Sequence, residues 1–190
     1  MAHSLVTVLV PEVEPHIARL RERFDRSARR GLGAHVTLRH RPLSPGGLDA
    51  ADIDAVATVA AAVPSFSFSV THVARFPTTV YLAVEPATPF ERLHFAFTAP
   101  PRTGSAKRAY GVHRPFVPHI SFVRRGTGVD LTDPAVHEAE AALSEFLARG
   151  GPIRCECHEI VLLEDSTGLW RPVRTFTLSG CMDSLSPGPS

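Results

Sequence analysis

The sequence predicts a two-lobed fold of mixed helices and strands around one cleft. Two observations predict it. One four-residue grammar occurs twice, as His35-Val36-Thr37-Leu38 and as His119-Ile120-Ser121-Phe122. Each copy also sits in the same order of elements: helix, motif strand, helix, strand, strand. Together they indicate a duplication at the level of elements.

Residues 5–10 are apolar and branched, and read as a buried strand. Pro11-Glu12 opens a helix in which Val13, Ile17, Leu20 and Phe24 form one apolar stripe. Its other face carries Arg19, Arg21, Arg23, Arg26, Arg29 and Arg30, read as a solvated stripe with contact to RNA as the alternative. Gly31 and Gly33 stop that helix. The first motif strand then runs into Arg39-His40-Arg41. Asp49 is the expected N-cap of a second helix, with Ile53, Val56, Val59 and Val63 inward and Pro64 at its end. Residues 66–71 alternate as a strand with one wet face, and residues 79–84 read as its neighbour.

In the second half, a helix covers residues 89–98 and a long loop covers 99–117. Long irregular segments in compact domains tend to be functional. This one holds Arg102, Lys107, Arg108, Tyr110, His113, Arg114 and Phe116, a mixture suited to a phosphate beside a stacked base. After the second motif strand, Asp133-Pro134 is an N-cap with proline at the first helical position. Val136, Ala139, Leu143 and Phe146 give that helix its stripe. Strands follow near 153–163 and 170–178. One domain is expected over residues 1–180, with a disordered tail over 181–190.

Composition narrows the function. The chain has 190 residues, 44% hydrophobic and 21% charged, as ordinary globular proteins do. A formal net charge of +1 excludes a bulk polyanion binder but leaves room for a local basic patch. Lys107 is the only lysine, so arginine carries nearly all the positive charge. The cysteines are Cys155, Cys157 and Cys181, an odd, sparse set that fits a reducing compartment. The first apolar run is too short for a signal core or a membrane span. A cytoplasmic monomer without membrane contact is expected.

The motifs carry the chemistry. Residues two apart in a strand share a face and lie roughly 6.6 Å apart. His35 and Thr37 therefore point one way, and His119 and Ser121 repeat the arrangement. Two such strands facing one cleft offer an acid, a base and hydroxyls to hold an oxyanion. The competing signals are weaker. Cys155-x-Cys157-His158 could be half a zinc site, but zinc needs four ligands and no second cysteine pair exists. Neither a Gly-x-x-x-x-Gly-Lys-Ser/Thr loop nor a Gly-x-Ser-x-Gly elbow is present. His16, His72, His94 and His137 read as ordinary surface or boundary residues.

The paired His-x-Thr/Ser strands, Pro118 before the second histidine and Arg124 just beyond it resemble the 2′-5′ RNA ligase family of the two-histidine (2H) phosphoesterase superfamily. Glu164-Asp165-Ser166 followed by Trp170-Arg171 resembles its bacterial members, and the likeness extends from Ser4 to Gly180. The resemblance implies a bilobal α+β fold with a pseudo-twofold axis, two antiparallel sheets lining a central groove and helices outside. It implies metal-independent chemistry, without a cofactor, on 2′,3′-cyclic phosphates or 2′-5′ linkages of RNA ends or nucleotides, with reversible ligation as a further activity. His35 and His119 map onto the catalytic histidines. Thr37 and Ser121 map onto the phosphate-contacting hydroxyls. Arg124, Tyr110, His113 and Phe116 complete the expected substrate contacts. Arg39-His40 departs from the apolar or aromatic residues of many bacterial members. In the expected mechanism His119 is the base and His35 the acid. The alternatives are a module that binds RNA ends or nucleotides with little turnover, and a structural protein whose groove is closed by side chains.

Overall fold

The computed structural model describes residues 2–42, 47–98, 115–126 and 129–180. The tail from 181 onward, Tyr110 and His113 lie outside the described residues.

The chain runs β1 (His3–Leu9), α1 (Glu14–Phe24), a short 3-10 turn (Ala28–Arg30), β2 (His35–Pro42), α2 (Ala50–Ala62), β3 (Phe66–Phe76) and β4 (Thr79–Glu85). It continues with α3 (Thr88–Thr98), β5 (His119–Arg124), α4 (Pro134–Gly150), β6 (Ile153–Cys157), β7 (Glu159–Glu164) and β8 (Arg171–Thr177). The strands form two antiparallel four-stranded sheets, ordered β2-β1-β7-β8 and β5-β4-β3-β6. Helices α2 and α3 pack on the first sheet, α1 and α4 on the second. This is the expected α+β architecture.

The stretch expected as one strand over 153–163 is two strands in two sheets. β6 pairs with β3 and β7 pairs with β1, with the break at His158. The sequence shows continuous strand character there because both halves are extended. Only the pairing partners reveal the crossing.

Alternation explains the core. On the first sheet Val6, Val8, Val36, Leu38, Ile160 and Leu162 face the helices and are buried. The opposite face carries a smaller cluster of Leu5, Val161 and Leu163, covered by Leu32 and Trp170. Gly31 makes that cover possible. It ends the 3-10 turn at φ 84°, a left-handed conformation that suits glycine, with the Trp170 carbonyl 3.6 Å from where a Cβ would stand.

Local signals also hold at the helix starts. Asp49 and Asp52 form a reciprocal capping box on α2, and Asp133 accepts the Ala135 N–H ahead of Pro134. Two expected stripes need correction. On α4 Leu147 is buried, whereas Phe146 is 37% exposed and packs on the His16 ring. The first helix ends at Phe24 rather than at the glycines, and Arg21 is fully buried rather than solvated. Arg21 Nη2 donates to Asp25 at 3.2 Å, and its Nη1 lies 3.6 Å from Glu14. Asp25 also accepts the Ser27 N–H at 2.9 Å and the Ser27 hydroxyl at 2.6 Å.

Removing either partner of a buried ion pair leaves the other charge uncompensated, and the cost depends on what hydrogen bonds remain to it. Asp25→Ala should lose about 3–5 kcal/mol in denaturant unfolding, because it strands the guanidinium. Arg21→Met should lose less, since Asp25 keeps its Ser27 partners. The reverse order would show that the arginine itself, rather than its neutralisation, stabilises α1.

Candidate active site

Both motif strands are edges of their sheets, and β2 touches β5. Register fixes which side chains share each histidine's face. His35 and Thr37 stand opposite Leu9 and Thr7, on one face of β1 and β2. His119 and Ser121 stand opposite Ala83 and Tyr81, on one face of β4 and β5.

The pairing then skips one residue in each strand. In the first it jumps from Thr37 to Arg39, bypassing Leu38. In the second it jumps from Ser121 to Val123, bypassing Phe122. Such a bulge shifts the alternation by one position. The fifth residue after each histidine is thereby returned to the histidine's face. These residues are His40, opposite Leu5, and Arg124, opposite Thr79. Strict alternation would have placed Arg39 and Val123 there.

The two imidazoles are anchored identically. His35 Nδ1 lies 2.8 Å from the Gly33 carbonyl, and His119 Nδ1 lies 2.7 Å from the Val117 carbonyl. A carbonyl only accepts, so Nδ1 carries the hydrogen and Nε2 is left for chemistry. Burial pushes His35 down to about 4. The Gly33 carbonyl opposes this, Arg21 and Arg124 add to it, and Asp25 counters. His119 is also lowered, by burial and by Arg124, against the Val117 carbonyl. Burial, His3 and Arg124 lower His40 as well. One guanidinium thus acts on all three imidazoles.

The surroundings of the two histidines differ. Behind His35 lies the charged Glu14–Arg21–Asp25 set, and Glu14 Oε2 accepts the Ala34 N–H at 2.5 Å. Around His119 the wall is aromatic. Phe76 meets its ring edge-on at 5.0 Å and Tyr81 at 5.2 Å, and those two stack on each other at 4.2 Å.

The chain matches the 2′-5′ RNA ligase superfamily over residues 9–169. It belongs to that superfamily. Among solved structures it is similar to TT0787 of Thermus thermophilus, at 16% identity and TM-score 0.63, covering 93% of this chain and 97% of that one. It is similar to E. coli LigT complexed with 3′-AMP, at 16% identity and TM-score 0.54, covering 93% and 98%. LigT complexed with NADP+ matches at 18% identity and TM-score 0.54, covering 93% and 96%. At these identities the structures show a shared fold. No curated protein matches by sequence.

Within this superfamily fold, the expected residues His35 and Thr37 share one face of β2, and His119, Ser121 and Arg124 share one face of β5, the strand that β2 touches. Phe116 stacks on the His94 ring at 4.1 Å, just ahead of the Val117 carbonyl that holds His119. His94 is no ordinary boundary residue. Its Nδ1–H donates to the carbonyl of the bulged Leu38 at 2.8 Å, so one ring ties the two motif strands together. His40 was equally hidden to alternation, and only its offset from His35, matching that of Arg124 from His119, could have signalled it. Among the described residues no group of three or more His, Cys, Asp or Glu could hold a metal ion. None of the described helices is long and apolar enough to cross a membrane.

The lowered His35 has a stability consequence. Between its ordinary value of 6.5 and about 4, the unfolded chain binds this proton more readily than the folded one. His35 therefore costs nothing above 6.5 and destabilises progressively as pH falls through that window. His35→Asn should flatten the acid limb of the stability curve, by up to about 3 kcal/mol near pH 4. An unchanged acid limb in urea titrations would contradict the buried, neutral imidazole.

Proposed function

We propose that the protein is a metal-independent phosphodiesterase acting on 2′,3′-cyclic phosphates or 2′-5′ linkages of RNA or nucleotides. One observation carries the reading. Two imidazoles, each locked through Nδ1 on a carbonyl two residues upstream, stand on adjoining edge strands under one arginine. Membership of the superfamily supports it. So does the fold shared with a LigT crystallised with 3′-AMP and with NADP+, both phosphate-bearing nucleotides.

In this reading the phosphate sits between the two histidines, with Arg124, Thr37 and Ser121 on its non-bridging oxygens. One Nε2 takes a proton from water as the water oxygen bonds to phosphorus. The other imidazole, protonated, gives its proton to the ribose oxygen as the phosphorus–oxygen bond breaks. The charge that builds on the non-bridging oxygens is met by donors already in place. With a 5′-hydroxyl in place of water, its oxygen bonds to phosphorus as the 3′ ribose oxygen leaves with the donated proton, and two ends are joined through a 2′-5′ linkage.

The surroundings favour His35 as base and His119 as acid, the reverse of the assignment expected from sequence. His35 is the more buried and has Arg21 and Arg124 disfavouring its charge. A base must stay neutral until it acts. His119 is flanked by aromatic rings rather than by a second arginine, and an arriving phosphate anion raises its proton affinity.

The pH profile tests this. For kcat/KM, which reports the free enzyme, the bell should be centred on the acid side of 6.5, because both imidazoles are lowered. The kcat profile should lie at higher pH, because bound phosphate favours the charged acid. His35→Ala should remove the acid limb and His119→Ala the alkaline limb, each with a large rate loss. Full activity in either variant refutes the two-histidine mechanism. Activity should also survive exhaustive chelation. Thr37→Val and Ser121→Ala should each cost roughly 2–4 kcal/mol of transition-state stabilisation. Rates restored only by added zinc or manganese would overturn the metal-independent reading.

A further inference from the structure

The histidine face of the first sheet continues past the paired histidines, beside the Leu32–Trp170 cover over Leu5. The bulge at Leu38 carries the histidine face of β2 onward to His40. The His40 ring stacks on His3 at 5.0 Å and 21°. His3 lies on the same face of β1 as Leu5, Thr7 and Leu9. Beside His3 opens a cavity of about 520 Å³, lined by Arg26, Arg30, Asp165, Ser166 and Gly168 together with His3 and Ala2.

The charge of this cavity is decided by how Asp165 is used. The residue is 5% exposed, and its carboxylate is committed to the wall. It accepts the His3 backbone N–H at 2.5 Å and the Arg30 Nη2–H at 2.8 Å, and lies 3.7 Å from His3 Nδ1. Arg30 is held further by its Nε–H on the Gly168 carbonyl at 2.6 Å and by the Trp170 ring. Arg30 and Asp165 thus brace one another. Arg26 is exposed and, among the described residues, has no carboxylate partner. Among the side chains that line the cavity, Arg26 and Arg30 outnumber Asp165, while the Glu164 carboxylate beside it is engaged by the Ser166 hydroxyl at 2.9 Å.

Its distance from the paired histidines selects the ligand. From Leu9, opposite His35, to His3 is six strand residues, roughly 20 Å, and from Thr7, opposite Thr37, it is four, roughly 13 Å. A single cyclic nucleotide between His35 and His119 cannot reach that far. A single strand a few nucleotides long can, with an intervening nucleoside lying over the stacked His40 and His3 rings.

We infer that this cavity is a second phosphate subsite, taking a backbone phosphodiester of a single-stranded RNA chain a few nucleotides from its reacting end. The inference rests on the proposed function, whose substrate class it narrows. Arg26 is the principal free contact and Arg30 the fixed one. The His40–His3 stack bridges the two phosphate positions.

The test compares a 2′,3′-cyclic mononucleotide with a short oligonucleotide ending in the same cyclic phosphate. Wild-type kcat/KM should favour the oligonucleotide by about tenfold or more, as a charge-assisted contact predicts. Arg26→Gln should abolish most of that preference. Arg149→Gln, a charge control on α4, should keep it. The salt slope of oligonucleotide binding should fall by about one in Arg26→Gln, as loss of one phosphate contact requires. A wild-type preference below about threefold, or one that survives Arg26→Gln, overturns the subsite. Binding of a labelled oligonucleotide with a 3′-phosphate separates the two claims. If neither substrate turns over, the proposed function fails. The subsite then stands if Arg26→Gln weakens binding about tenfold, and falls if it does not.

Discussion

A one-residue bulge in each of two edge strands decides which side chains share the face of each histidine. Without it, each strand would present histidine, hydroxyl and then Arg39 or Val123. With it, the fifth residue returns to the face, and a guanidinium joins the imidazole and hydroxyl on one strand while a third imidazole joins on the other. The bulged residues themselves, Leu38 and Phe122, stay buried in the core. Apolar packing therefore fixes the irregularity. The core holds Leu38 and Phe122 in place, and the polar face follows. The Leu38 carbonyl is in turn held by His94, so the bulge on β2 is secured from both sides.

The two motif histidines share their anchoring and differ in their surroundings. Both Nδ1 atoms donate to a carbonyl two residues upstream, so neither ring can turn over. The rings then differ only in what stands behind them. His35 has a buried arginine flanked by two carboxylates, and His119 has Phe76 and Tyr81. Burial and Arg124 lower both imidazoles, and the buried Arg21 adds to the lowering at His35 alone. Here the asymmetry arises from α1, which supplies Glu14 and Arg21 to one side and has no charged counterpart among the described residues on the other.

Much of this was legible in the sequence because it is local. The His-x-Thr/Ser spacing needs only strand alternation over three residues. Asp49 with Asp52, and Asp133 with Pro134, are capping signals that act within one turn. The failures share a different cause. Arg21 falls on the polar side of a helical wheel, yet Asp25 and Glu14 permit its burial, and that depends on where α1 lands. The 153–163 stretch is uniformly extended, so nothing local marks His158 as the crossing between sheets. His40 and His94 acquire their positions from register and from a partner over fifty residues away. Sequence patterns report what a residue prefers beside its neighbours; these residues are placed by strands they meet only in the folded chain.

The two halves are not side by side. Each begins with a strand, a helix and a motif strand, β1-α1-β2 and β4-α3-β5, and later gives a strand to the other half's sheet. β3 of the first half lies beside β4, and β7 of the second lies beside β1. One repeat on its own would present an open edge where its partner's strand belongs. Two separate copies would close only by exchanging strands, as a swapped dimer does. The single chain is that exchange made permanent by a covalent link. Neither half can be cut free, shuffled onto another protein or lost to truncation without opening the sheet that carries the other's histidine.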